Sequence, residues 1–290
     1  MKFIISLITL ISFTCFAQAT TWDGRIFNAK SRLEIFQDEY IRELSKYKVI
    51  VLGEKHYTPA VQYAQEQTIR NVVAFTNKSG AFTTAWEFLN VTAQNETDRL
   101  FNQVKSKEIT AENFIESTQG KKDSGYASVI EATADLKGNL LGTNLSREEK
   151  KPVTENGIGA LDPKLLPPDF DYGTRGYYER FELVMSGHAT PEQIKNYYDS
   201  QCLVDDTIAY HLLKDSTNTL NFLIAGSFHT DFYDGAVHRM KSRQPGIKIV
   251  TVKIIDASDF EESELLGEMH SEQYGDVADY VYFVNNPISK

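Results

Sequence analysis

Two copies of Gly-x-x-His, Gly53-Glu54-Lys55-His56 and Gly226-Ser227-Phe228-His229, each close an apolar run. Histidine titrates near neutral pH, and a glutamate two residues away in extended chain points to the same side. Glu54 and His56 therefore form one candidate pair, with His229 arriving from a second strand end. The glycine of each motif lets the backbone turn or a ligand come close. Trp86-Glu87-Phe88-Leu89 carries a further carboxylate among apolar neighbours. Such a group, once buried, needs a cation, a hydrogen-bond donor or a ligand, because an unpaired buried charge is expensive. A further apolar run ends in Asn144, with Arg147 just beyond.

One chemistry open to this set is metal-assisted hydrolysis. Catalytic zinc takes three protein ligands and keeps a position for water. His56, His229 and one of Glu54 or Glu87 meet that count for zinc or another divalent transition metal. The remaining glutamate would be the general base, so Glu54 and Glu87 are the catalytic candidates. A second cluster, Gln201, Asp205 and Asp206, lies on a long helical pattern, where Gln201 and Asp205 are neighbours at i and i+4. Arg239 is the fixed positive charge nearest the strand ends. His188, His211 and His270 lack a strand-end context and read as loop or helix-surface residues.

These residues need elements to hold them. Lys48–Leu52, Phe82–Phe88, Gly138–Leu145, Leu220–Ala225 and Ile247–Ile255 are short, almost wholly apolar runs, the pattern of parallel strands covered on both faces. Helical periodicity lies between them, at Arg32–Tyr47, Pro59–Phe75 and Thr190–Lys214 among other places. The last opens with an N-cap threonine, a proline and a capping-box glutamine. Ala278–Val284 reads as a final strand. The expected fold is α/β, a mostly parallel open sheet flanked by helices, with an inserted helical lobe at about 92–135 and 162–215. In such sheets ligands bind outside the carboxyl ends of the strands, so the polar tips should share one rim.

The chain has 290 residues, 41% of them apolar and 24% charged, with net charge −10 and 6 histidines. No basic run exists to follow a phosphate backbone, so nucleic acid is excluded as a partner. Residues 1–19 form a signal peptide pattern: Lys2, an apolar stretch from Phe3 to Phe13, and Ala17-Gln18-Ala19 as the cleavage site. Export to the periplasm or the medium is expected after cleavage near Ala19, leaving 20–290 as a single domain. Cys15 follows Phe13-Thr14, a poor lipoprotein context, so lipid anchoring is the lesser reading. No other stretch is long and apolar enough to span a membrane. Cleavage would leave Cys202 as the one thiol.

At VLGEKHYTPA (51–60), AWEFLN (85–90), GNLLGTNLSRE (138–148), YYDSQCLVDDTIA (197–209) and IAGSFHTDFYDGAVHR (224–239) the sequence resembles the ChaN-like family of iron-regulated haem-binding proteins. That family sits in a wider group with erythromycin-esterase-like and TIKI/TraB-type proteins. The resemblance implies an α/β sheet with a helical lobe, an exported or lipid-anchored location, and haem held between the protomers of a homodimer. It carries over to Glu54, His56, Glu87, Asn144, Gln201, Asp205, His229 and Arg239. Three positions depart from the family pattern: Tyr57 where an acidic residue is usual, Gln62 where a second histidine is common, and Gly235-Ala236-Val237-His238 where the family has glycine-x-proline. Tyr and His are both haem ligands, which makes Tyr57 and His238 the axial candidates, with Tyr172, Tyr177, Tyr178 and Tyr233 among the 15 tyrosines competing for the role. Asn144, Gln201 and Asp205 are the other cofactor-binding candidates. Arg239, Arg175 or Arg180 would meet the propionates. Haem binding without catalysis is the leading reading, metal-dependent hydrolysis its alternative, and a binding or assembly module with a relic rim a third.

Overall fold

A computed structural model describes residues 24–285, so the signal segment and Cys15 lie outside the described residues. Among the described residues ten strands and nine α-helices follow one another. An edge pair, β1 (Gly24–Asn28) and β2 (Leu33–Ile35), precedes α1 (Gln37–Leu44). The first parallel units are β3 (Val49–Glu54), α2 (Pro59–Thr76) and β4 (Phe82–Asn90). Helices α3 (Gln94–Lys105), α4 (Ala111–Gln119) and α5 (Ser124–Asp135) lead to β5 (Asn139–Asn144). Then come α6 (Arg147–Asn156), α7 (Arg175–Met185), α8 (Pro191–Asp215), β6 (Leu220–Gly226), α9 (Gly235–Arg243) and β7 (Ile249–Asp256). A two-residue hairpin, β8 (His270–Ser271) and β9 (Gly275–Asp276), precedes β10 (Tyr280–Val284).

Eight strands make one sheet in the order β2-β1-β10-β7-β3-β6-β4-β5. Every pairing from β10 to β5 is parallel, and only β1 runs antiparallel to its two neighbours. Both faces are buried, with alternate side chains serving separate cores. Ile50, Leu52, Phe82, Trp86, Phe222 and Ile224 pack under α1–α5. Val49, Val51, Ala85, Leu223 and Ala225 pack under α8 and α9. A two-sided core explains why these runs are apolar at every position rather than every second one.

Two elements differ from expectation. The helix read at Arg32–Tyr47 begins only at Gln37, and Leu33–Ile35 is an edge strand on β1. Leu33 and Phe36 fit the helical spacing yet are exposed, so their periodicity reports no buried face. Helix α6 falls outside both expected insertions, because REEKKPVTEN buries only Val153 and has no apolar stripe. Its start rests on a capping box between Ser146 and Glu149. The capping box read at Thr190 and Gln193 is formed and opens α8.

Candidate functional site

The strand ends deliver their polar residues to one rim, where four of them join Asp205 of α8 and Arg239 of α9 in a line. Glu54, the last residue of β3, is buried, and its Oε1 accepts from His56 Nδ1 at 2.9 Å and from the Tyr126 hydroxyl. Its Oε2 accepts from Gln62 Nε2 at 3.1 Å and Gln65 Nε2 at 2.8 Å. His56 Nε2 lies 3.9 Å from Glu87 Oε2. Glu87 Oε1 lies 3.2 Å from His229 Nε2, and His229 Nδ1 donates to Asp205 Oδ1 at 2.7 Å. Asp205 Oδ2 accepts from Tyr177 at 2.6 Å and sits 3.6 Å from Arg239 Nη1. Acidic and basic groups alternate along the whole line, three of each.

That alternation sets the protonation states. Burial alone would raise the Glu87 carboxyl, but the charge of His229, its hydrogen bond, His56 and the Gly226 N–H together hold its pKa at about 2. Burial alone would lower His229, yet Glu87 and Asp205 on its two sides raise its pKa to about 10. His56 moves the same way: burial opposes the shift, and the Glu54 hydrogen bond and the Glu87 charge win. The two carboxylates favour the imidazolium form of His229, with Asp205 facing Nδ1 and Glu87 facing Nε2. The glycine of the second motif has a visible reason. Gly226 N donates to Glu87 Oε2 at 2.7 Å, and a Cβ there would stand 2.7 Å from His56 Nε2.

The metal expectation fails on this geometry. Among the described residues no group of three or more His, Cys, Asp or Glu side chains is disposed to hold a metal ion. His56, His229, Glu54 and Glu87 do meet, but as a hydrogen-bonded line. Each carboxylate oxygen of Glu54 is already accepting from two protein donors, and both ring nitrogens of His229 face carboxylates. The reading of Glu54 or Glu87 as general base was tied to that metal.

The haem candidates separate into different places. Tyr57 is 49% exposed, with its backbone in the left-handed region (φ 57°). Its ring stacks on Phe88 at 5.6 Å and meets Tyr126 edge-on, while Lys121 Nζ stands 3.6 Å above its centre. His238 lies on α9 with Nε2 3.4 Å from Asp171 Oδ2, and the two candidates share no neighbour. Asn144 and Gln201 line a cavity of about 320 Å³ together with Glu87 and His229. Gln201 Nε2 also donates to the Tyr177 hydroxyl at 2.9 Å. Asp205 is fully buried beneath His229 and lines no part of that cavity.

The arginines expected to meet propionates are committed to the protein. Arg239 is fully buried, donating to the Asp171 and Gly235 carbonyls at 2.9 Å each beside Asp205. Arg180 pairs with Asp234 at 3.1 Å under the Phe232 ring, and Arg175 pairs with Glu179 on an exposed helix face. Tyr126, Gln65 and Lys150 join the site without having been read from the sequence, and Tyr177, read only as a competing haem ligand, holds Asp205 instead. Tyr126 lies in the first turn of α5 and Gln65 inside α2, both in ordinary helical patterns. Lys150 had one available signal, its place one turn into a helix that starts right after a strand end.

The protein is an α/β sheet with a buried acid–imidazole line at its carboxyl rim and a cavity beside it. The family model described as haem-binding uptake, Tiki superfamily, ChaN matches residues 40–240, and the chain belongs to that family. Among solved structures, ChaN of Campylobacter jejuni, described with cofacial haem binding, is 23% identical with a TM-score of 0.70, over 91% of this chain and 98% of that one. The type III effector HopBA1 is 10% identical with a TM-score of 0.51, over 86% and 93%. An EreC erythromycin esterase mutant in its open conformation is 12% identical with a TM-score of 0.45, over 93% and 85%. At these identities the first two likenesses establish the fold alone. No curated protein matches the sequence closely enough to add to this.

Proposed function

We propose that this is an exported protein that binds haem at the carboxyl rim of the sheet, as a homodimer, in haem or iron uptake and handling. The observation that carries the reading is the match to a haem-binding uptake family across residues 40–240. The cofacial arrangement named for C. jejuni ChaN is the model for the dimer. The signal pattern at 1–19 supports export, and among the described residues no helix is long and apolar enough to cross a membrane.

The residues at the rim fit haem through Tyr57. Its phenol has no hydrogen-bond partner among the described residues, and its ring extends the aromatic layer of Phe88, Tyr126 and Trp86. Left-handed backbone at a bulky residue costs on the order of 1–3 kcal/mol, so the fold spends stability to hold this ring outward. When bound, haem would supply an iron whose reactivity the axial ligand and its hydrogen bonds set. Lys121 and Phe88 fix the plane of the Tyr57 ring, and Tyr126 ties that layer to Glu54. His238 belongs to another surface, so the ligand role is assigned to Tyr57.

Haem titration of the chain beginning at Thr20 tests this. Wild type should give a shifted Soret band, Tyr57→Phe should weaken binding by about tenfold or more (roughly 1.4 kcal/mol), and His238→Ala should leave it intact. A wild-type Soret spectrum identical to free haem would remove the proposal. Sedimentation of the haem-loaded protein should show a dimer.

A further inference from the structure

The cavity beside the rim holds a cation that ligation through Tyr57 leaves unused. Lys150 projects from α6, and its Nζ donates to Asn144 Oδ1 at 3.0 Å. Among the described residues no carboxylate oxygen pairs with it. Its two acidic neighbours, Glu87 and Glu149, are both committed. Glu149 accepts from the Ser146 N–H at 2.7 Å and the Thr92 hydroxyl at 3.3 Å, and Glu87 is held by Gly226 and His229. Burial accordingly pulls the ammonium pKa below its usual value. Lys150 is half-buried, and a partly desolvated cation without a paired countercharge gains from an anion brought beside it.

The surroundings are built for that anion. The cavity of about 320 Å³ opens into a larger hollow of about 810 Å³ between α6 and α8, and the two share Lys150, Thr154, Tyr197 and Ser200. Tyr197 and Ser200 bring hydroxyl donors to the wall facing Lys150. Arg147 and Lys151 stand at the mouth with Glu148 and Glu155, and Lys151 is 3.7 Å from Glu155. The three arginines expected to hold propionates all point elsewhere. We propose that Lys150 is the recognition cation for a ligand carboxylate in this cavity, either a haem propionate or the carboxylate of a small organic acid. The first source rests on the haem reading above; the second does not.

Three probes separate these outcomes on the chain beginning at Thr20: haem, haem dimethyl ester and succinate. In wild type, esterification should weaken haem binding about tenfold. Lys150→Met should weaken free-acid haem to the same degree and leave the ester unaffected, while Lys150→Arg restores the acid. Haem binding unchanged in Lys150→Met removes the propionate source, as does an ester effect that persists in that variant. Either result with no succinate shift beside it overturns the assignment. Succinate provides the porphyrin-free arm, read as a shift of the Lys150 signal in the NMR spectrum of reductively methylated protein. A wild type that ignores haem but whose Lys150 signal moves with succinate sinks the haem reading and keeps the carboxylate site. A wild type that responds to neither sinks both. A melting curve matching wild type establishes that Lys150→Met is folded, and Lys150→Arg carries the test if it is not.

Discussion

At the scale of residues, the rim is held together by the contact between Glu87 and His229, and pH should reveal it. Glu87 has its pKa lowered from the usual 4.5 to about 2, so its contribution to stability is complete above 4.5 and disappears as pH falls toward 2. His229 has its pKa raised from 6.5 to about 10, so its contribution is complete below 6.5 and disappears as pH climbs through 10. Both shifts describe largely one contact seen from its two ends. Stability should therefore be highest between about pH 4.5 and 6.5 and decline on either side. Glu87→Gln should cost about 3 kcal/mol, by leaving a buried imidazolium short of one partner, and should flatten both flanks. Urea unfolding midpoints at acid, intermediate and alkaline pH measure this, and unchanged flanks in the variant would place the pH dependence elsewhere. The meeting of Glu54, His56, Glu87 and His229 was legible because each ends, or lies in, an apolar strand of a parallel sheet. Asp205 and Gln201 were legible as helix neighbours at i and i+4. Tyr126 and Gln65 were not, since only the docking of α2 and α5 on β3 brings them to Glu54. Nor was the role of Arg239, whose charge is taken by Asp205 inside the protein.

At the scale of elements, the sheet terminates in β5, a parallel edge strand with backbone groups facing away from β4. Such an edge invites pairing with another chain. Here the Gln94 side chain stands in for a neighbouring strand: its Nε2 donates to the Leu140 carbonyl at 3.0 Å, and its Oε1 accepts from the Gly142 N–H at 2.8 Å. Gln94→Ala leaves both backbone groups without that partner and should lower stability by about 1–2 kcal/mol. It should also raise the tendency to associate, read by light scattering near the unfolding midpoint. Loss of stability equal to that of an exposed helix substitution elsewhere on α3 would deny the capping role. This device was hidden in the sequence, where Gln94 is one more polar residue at a helix start. The start of α8 was legible because Thr190, Pro191 and Gln193 are a local signal that needs no tertiary context. Helix α6 and the false helical turn at Arg32–Phe36 show the converse. One is a helix without an apolar stripe, and the other is an apolar spacing that packs against nothing.

At the scale of the whole molecule, the fold rests on its two hydrophobic faces without covalent help. The sequence has 2 cysteines, one in the segment read as a signal and the other Cys202, which is free and buried. Cys202 lies on α8 against Tyr177 and Tyr198, and burial pushes its thiol up to about 12. A thiol so placed is neither accessible nor ionised at neutral pH, and reactivity follows the thiolate. The chain beginning at Thr20 should therefore give no reaction with an aromatic disulfide reagent while folded and one equivalent once unfolded in guanidinium. Its melting temperature should be the same with and without reductant. That indifference follows if stability comes from close packing on both sides of a sheet rather than from a crosslink. A reductant-dependent melting temperature, or rapid labelling of the native chain, would mean that α8 opens or pairs between chains, and the rim residues Gln201 and Asp205 on the same helix would lose their fixed positions with it.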